Sequence, residues 1–285
     1  MRIGAIFIMT LLFIGFLIPI GFSNESDLVV VTYGETTQEN LDCKHMVNEY
    51  FKNNAHVNVE NSNNKILTAK NINDFFGSFS DKFYPKDEIY LSSLLDLNKG
   101  DELIVTVDES KITAISSEML KSALMSAGIS KGHVYVTSPI ETTGDFAMAN
   151  VFYSYESATN VEIPVNIKKA ASFEVQTQAG IVDNSNITAK DLSNLVSGVK
   201  GKVIEENITD HTKIVNLINK ENNETKLNLT NNDIEKLANA IGEVQSVQKN
   251  SNEFKNHISG FLDGHCKSKY SIENVLNGTN SLFKR

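Results

Sequence analysis

LIVTVDESKITAISSEMLKSALMSAGISKGHVYVT, residues 103–137, carries the reading that decides the fold class. Leu103 to Val107 and His133 to Thr137 are β-rich runs of strand length, and between them Ser116 opens a helical stretch that reaches Ala127 and stops at Gly128. A serine N-cap and a glycine just past the end are the usual boundaries of a helix. Strand, helix and strand in this order predict a right-handed βαβ unit with its two strands parallel.

Working outward from that unit, the same alternation extends over residues 27–160. Leu28 to Tyr33 reads as a continuous apolar strand, after which Thr36 or Thr37 caps a helix running to about Asn53. His56 to Glu60 alternates like a strand, Asn61 to Asn64 reads as a polar connector, and a short helical piece covers residues 72–79. Glu88 to Leu94 reads as a further strand, separated from Leu103 to Val107 by the turn Asn98-Lys99-Gly100-Asp101. From about Gly144 to Ala158 a helix places Ala147, Val151, Tyr155 and Ala158 on one face. The expectation is an α/β N-terminal domain, a mixed sheet with a βαβ unit, followed by an all-α C-terminal region over residues 161–285. There Thr188 with Asp191 forms a capping box ahead of the stripe Leu192, Leu195, Val196, Val199 and Val203. Thr230 with Asp233 repeats the device before Ile234, Leu237, Ala238, Ile241 and Val244. Shorter helices are expected over Asp210 to Asn219, Asn252 to Leu262 and Ser271 to Phe283.

Ile112 to Gly128, with Glu118-Met119, Ala123-Leu124 and Ala127-Gly128-Ile129, continues into Val134-Tyr135-Val136-Thr137-Ser138-Pro139 and then Thr143-Gly144. Together with Val29 to Gly34, Thr37-Gln38 and Ala170 to Gly180, these segments resemble the secreted bacterial and archaeal proteins grouped as domain of unknown function family 1002. The resemblance covers roughly residues 28 to 240. It implies secretion and an α/β domain with a helical tail, and it brings neither an agreed activity nor established catalytic residues.

At the amino terminus Arg2 precedes an uncharged apolar run from Ile3 to Phe22. That is the pattern of an export signal, and residues 1–23 read as a signal peptide or an N-terminal membrane anchor. Pro19, with Gly21 and Ser23 ahead of Asn24, favours cleavage after Ser23. The expected location is therefore extracellular or on the outer face of the cytoplasmic membrane, with membrane contact only through this segment if it is uncleaved. A net charge of −9 with lysines spread along the chain argues against nucleic acid as a partner. The two cysteines, Cys43 and Cys266, are a candidate disulfide in an oxidising exterior, set against two buried or unpaired thiols.

Ser138-Pro139-Ile140-Glu141-Thr142-Thr143-Gly144 joins a strand end to a helix start. Such a loop can hold a small anion or carboxylate through Ser138, Thr142, Thr143 and Gly144. The plainer alternative makes Thr142 or Thr143 the helix cap and Gly144 a close-approach residue. No Gly-x-Ser-x-Gly elbow accompanies Ser138, and His133 stands at the other end of the same strand. His257, His265 and Cys266 do not have zinc-ligand spacing, and Asp96, Asp101, Glu102, Asp108 and Glu109 match no EF-hand loop. Walker A and dinucleotide fingerprints are absent, so no cofactor is expected. The sequence thus favours a noncatalytic extracellular or cell-envelope protein whose partner is a protein or an envelope ligand. The alternative is a cell-envelope hydrolase using Ser138 or a nearby threonine.

Overall fold

The parallel unit expected from residues 103–137 is present in the computed structural model of the chain, which describes residues 28–77 and 82–282, the last of these (263–282) as helix backbone. The N-terminal export segment and the end of the helix expected over 72–79 lie outside those residues. The strands are β1 (Val29–Gly34), β2 (Asn63–Leu67), β3 (Ser92–Asp96), β4 (Leu103–Val107) and β5 (Gly132–Thr137), in the spatial order β2-β1-β3-β5-β4. β1 and β2 are parallel, as are β4 and β5, while β3 runs antiparallel to both β1 and β5 at the centre. The helices are α1 (Glu35–Glu39), α2 (Leu41–Ala55), α3 (Ala69–Phe76), α4 (Ser117–Ser126), α5 (Ala147–Thr159), α6 (Val165–Asp183), α7 (Ala189–Glu205), α8 (His211–Thr225) and α9 (Asn231–Leu282). The mixed sheet with its βαβ unit and the helical C-terminal region are both as expected.

Strand alternation gives the sheet two apolar faces. Val31, Tyr33 and Leu94 pack with Val47, Phe51 and Ala55 of α2. The opposite face, with Leu95, Val105, Val134 and Val136, shares a core with α4, α5, α6 and residues 244–262 of α9. A separate core joins α7, α8 and residues 234–241 of α9.

Local chemistry departs from the expected pattern at several points. Thr36 and Thr37 cap no helix; their hydroxyls donate to the carbonyls of Lys86 and Tyr90, each at 2.5 Å. The helix after β1 breaks at Asn40, whose side-chain oxygen caps α2 by accepting from the N–H groups of Asp42 and Cys43. His56 adopts φ 54°, ends α2 and starts no strand. The edge strand is instead the polar β2, which begins in the last two residues of the stretch read as a connector, because an edge needs only backbone partners and has one solvated face. β3 lies later than Glu88 to Leu94, since its buried Ser92, Ser93 and Asp96 hide the apolar signal. α6 carries no clear apolar stripe, as its buried face mixes Ala170, Ala171 and Ser172 with Glu174 and Gln178. The helices expected over 252–262 and 271–283 belong, as far as Leu282, to the single α9, and residue 283 lies outside the described residues; the chain has no proline after Pro164 to divide it.

Between the sheet and α5 lies a fully buried polar cluster. Ser93 Oγ is 2.5 Å from Asn150 Oδ1 and 2.9 Å from Ser154 Oγ, and Ser154 donates to Thr32 Oγ1 at 2.7 Å. Asn150 Nδ2 donates to the Leu91 carbonyl at 2.9 Å, so α5 is fixed in register against the central strand. Asn150→Ala would strand the Leu91 carbonyl and one Ser93 partner in a site of 0% exposure. Urea unfolding should show a loss of about 2–4 kcal/mol with an unchanged slope.

Candidate functional site

Ser138, Thr142, Thr143 and Gly144 do come together where β5 gives way to α5, and the loop is held by its own backbone. Thr142 N–H donates to the Lys111 carbonyl at 2.8 Å, and Thr113 N–H donates to the Thr142 carbonyl at 2.9 Å. This forms a one-pair parallel bridge between Ile112 and Thr142. Ser138 is buried, and its Oγ is approached by the Ile140 N–H at 3.4 Å. Thr143 donates to Asp145 at 2.7 Å, and Asp145 forms an ion pair with Lys82. Neither threonine caps α5: its N-cap is Phe146, without a side-chain cap bond, and the Ala147 N–H donates to the Gly144 carbonyl at 2.9 Å. Gly144 has φ +87°, and a Cβ there would stand 2.7 Å from Ile112 Cγ2, so the close-approach role falls to this glycine.

A cleft of about 220 Å³ opens beside the loop, between Tyr84, Tyr90 and Ile140. Its described charged residues are Glu88, Glu141, Asp145 and Lys82, three carboxylates against one ammonium. An anion entering here meets repulsion that the helix N-terminus offsets only in part. The described histidines lie elsewhere. His133 is paired across the sheet with Asp96 at the end of β5 opposite to Thr137, and His211 approaches Glu235 at 3.5 Å on α8 and α9. Among the described residues no three His, Cys, Asp or Glu side chains assemble as a metal site. Asp96 accepts from the Asn98 N–H at 3.0 Å, and Asp108 from Thr137 at 2.7 Å, so the acidic strand ends serve local bonds. Cys43 is a buried free thiol, and the side chain of Cys266 lies outside the described residues.

A second constellation escaped the sequence reading. Lys200 of α7 is buried and donates to Glu174 Oε1 of α6 at 2.7 Å, to Ser122 Oγ of α4 at 2.6 Å and to Ser126 Oγ at 2.9 Å. The Ser122 carbonyl lies 3.1 Å from the same ammonium. Ser251 of α9 donates to the Ser126 carbonyl. Three helices therefore meet on one cation, and α9 joins them through the Ser126 carbonyl. The available signal was a lysine inside the apolar stripe, between Val199 and Val203.

Both constellations fall within a match to the family described as protein of unknown function (DUF1002), over residues 33–261. The chain belongs to the DUF1002 family. The uncharacterized protein YpuA of Bacillus subtilis (strain 168) is 27% identical over 185 residues, 64% of this chain and 60% of that relative. The match thus spans less than two thirds of the relative's length. No solved structure matches. DUF1002 membership agrees with the resemblance seen in residues 112–128, and it assigns no chemistry to either constellation.

Tyr84 offers a spectroscopic handle on the cleft. It sits against Phe76 and Phe146, and burial pushes its phenol up to about 12, with the hydrogen bond from Gln176 pulling the other way. A raised folded-state value means that this contribution to stability is complete below the unfolded value of 10 and is lost as pH rises through about 12. Tyr84→Phe should remove one late-titrating phenol from the phenolate absorbance curve and reduce the loss of stability across that alkaline window.

Proposed function

We propose that this DUF1002 protein is an exported, noncatalytic binding protein that works in the extracellular space or on the outer face of the cytoplasmic membrane, with a protein or cell-envelope ligand as its partner. The carrying observation is the uncharged apolar run from Ile3 to Phe22 behind Arg2, which has the composition of an export signal. No described helix is long and apolar enough to cross a membrane. The binding part of the reading is supported by open surface clefts along one side of α5, beside the loop that precedes it, and on the outer side of α4 and α7. The net charge of −9 keeps nucleic acid outside the reading.

The hydrolase alternative places the nucleophile at Ser138 or a nearby threonine. Ser138 is 2% exposed, which leaves its hydroxyl little access to a carbonyl substrate. General-base catalysis also needs a base within about 2.6–3.2 Å of the nucleophile or one water away. His133, the nearest histidine in sequence, is at the opposite end of β5.

Fractionation of cells making the native full-length chain, with intact mass of each fraction, tests the proposal. A mass beginning at Asn24 in the medium, or a full-length mass on the outer face of the membrane, is the expected result. Full-length protein retained in the cytosol would remove the exported reading.

A further inference from the structure

Two clefts flank the Lys82–Asp145 ion pair and share it, one of about 220 Å³ beside Ile140 and one of about 370 Å³ along the last turns of α6. We propose that this double cleft docks an extended basic segment of a partner polypeptide, with an arginine of the partner held by Tyr90, Glu88 and Glu141. The inference names the partner's chemistry for the binding-protein reading and rests on the binding half of it, independent of export.

The sign of the charge comes first. Glu88 and Glu141 line the first cleft and Asp183 the second, and none of the three forms an ion pair with a described residue. Lys82, the ammonium that lines both clefts, is bound to Asp145 and does not neutralise them. Lys86 is engaged by Glu35 and Glu39. Lys111 and Glu141 each precede a residue of the Ile112–Thr142 bridge, yet they form no ion pair. Residues 78–81, just ahead of Lys82, contain no lysine or arginine. The C-terminal turn of α6, with Gly180, Asp183 and Asn184, lines the second cleft, and a helix C-terminus favours a cation. The field that repels an anion here therefore attracts a cation, on a chain whose net charge is −9.

The second observation is a cation that the chain itself places in the cleft. Lys82 Nζ lies 5.2 Å from the Tyr84 ring centroid while it pairs with Asp145, so an ammonium is held by an aromatic face and a carboxylate together. Tyr90, Glu88 and Glu141 offer the same combination in the same cleft, and no cation among the described residues pairs with those carboxylates. Arginine suits it better than lysine, because a planar guanidinium stacks on a ring and donates to carboxylates through a fixed fork.

The rim decides between a polypeptide and a free amine. Ile140 in the first cleft is 44% exposed, and Phe83, next to Lys82, is 73% exposed. A small amine has no apolar surface to cover them, whereas a chain crossing from one cleft to the other over the Lys82–Asp145 pair brings side chains to both. An arginine anchor ringed by apolar contacts is a common composition of an interface hot spot.

Calorimetric titration of the full-length chain with the peptide acetyl-Ala-Arg-Ala-Arg-Ala-amide tests the proposal. Its citrulline counterpart, which keeps the shape and loses the charge, and spermidine, a free amine, are titrated beside it. One saturable site for the arginine peptide is expected, weaker as salt rises, with the citrulline peptide and spermidine about tenfold weaker. Glu88→Gln and Glu141→Gln, both at exposed positions, should each weaken the arginine peptide about threefold and together about tenfold. Glu253→Gln, exposed on α9 and outside both clefts, should leave it unchanged. The proposal is overturned by the absence of a saturable site, by equal binding of the citrulline peptide or of spermidine, by binding that neither cleft substitution changes, or by an equal loss in Glu253→Gln. Failure of this titration leaves the export reading standing, and cytosolic retention of the native chain leaves the titration untouched.

Discussion

Lys200 and Glu174 meet in an interior that neither could occupy alone. Their side chains are 8% and 1% exposed, and the desolvation of either charge by itself would be several kcal/mol. The pair is tolerable because the ammonium is surrounded: a carboxylate oxygen, two serine hydroxyls and a carbonyl lie within 3.1 Å. Removing one member of such a pair costs about 3–5 kcal/mol, since the other remains buried and uncompensated. The geometric consequence is as large as the energetic one. Only one placement of α7 against α4 and α6 satisfies the cation, so the helical region has a defined seat on the βαβ unit.

Two buried polar layers hold the protein together, and they differ in completeness. Between the sheet and α5, Thr32, Ser93, Asn150 and Ser154 bond to one another and to the Leu91 carbonyl, which fixes α5 on the central strand. Around α6, α7 and α9, Glu174 Oε2, Gln178, Ser193 and Gln245 Oε1 are buried without a partner. Each such group costs about 1–3 kcal/mol. The sheet side is therefore tightly specified, while the helical side carries unspent hydrogen-bonding capacity in its interior.

This contrast bears on where the molecule can recognise another. The loop from Ser138 to Gly144 has the position of a ligand site at a strand end, yet backbone bonds to residues 111–113 and the Asp145–Lys82 pair already occupy its groups. The clefts on either side of that pair keep Glu88, Glu141 and Asp183 outside any ion pair among the described residues. A fold of this kind offers its strand-end edge and its helical flank as separate surfaces, and DUF1002 membership alone does not choose between them.

The elements legible in the sequence were those whose stabilising partners lie nearby in the chain or whose pattern is periodic. The βαβ unit, the Ser116, Thr188 and Thr230 caps and the α7 stripe depend on residues three or four apart or on strand alternation, and each formed as its residues require. β3 was read too early in the chain and α6 went unread because their buried faces carry polar residues. Ser93 is acceptable in a central strand only when Asn150 and Ser154 arrive from 57 and 61 residues further on, and Glu174 only when Lys200 arrives from 26 residues away. The Ser138 loop was placed correctly at the sheet edge, but its bonds to Lys111 and Thr113 were not visible from composition. The sequence by itself determined the elements and the fold class through local periodicity and capping. Which polar groups are buried, which are satisfied and which face a groove was decided by the tertiary structure, because a buried charge or hydroxyl has no meaning until its distant partner is in place.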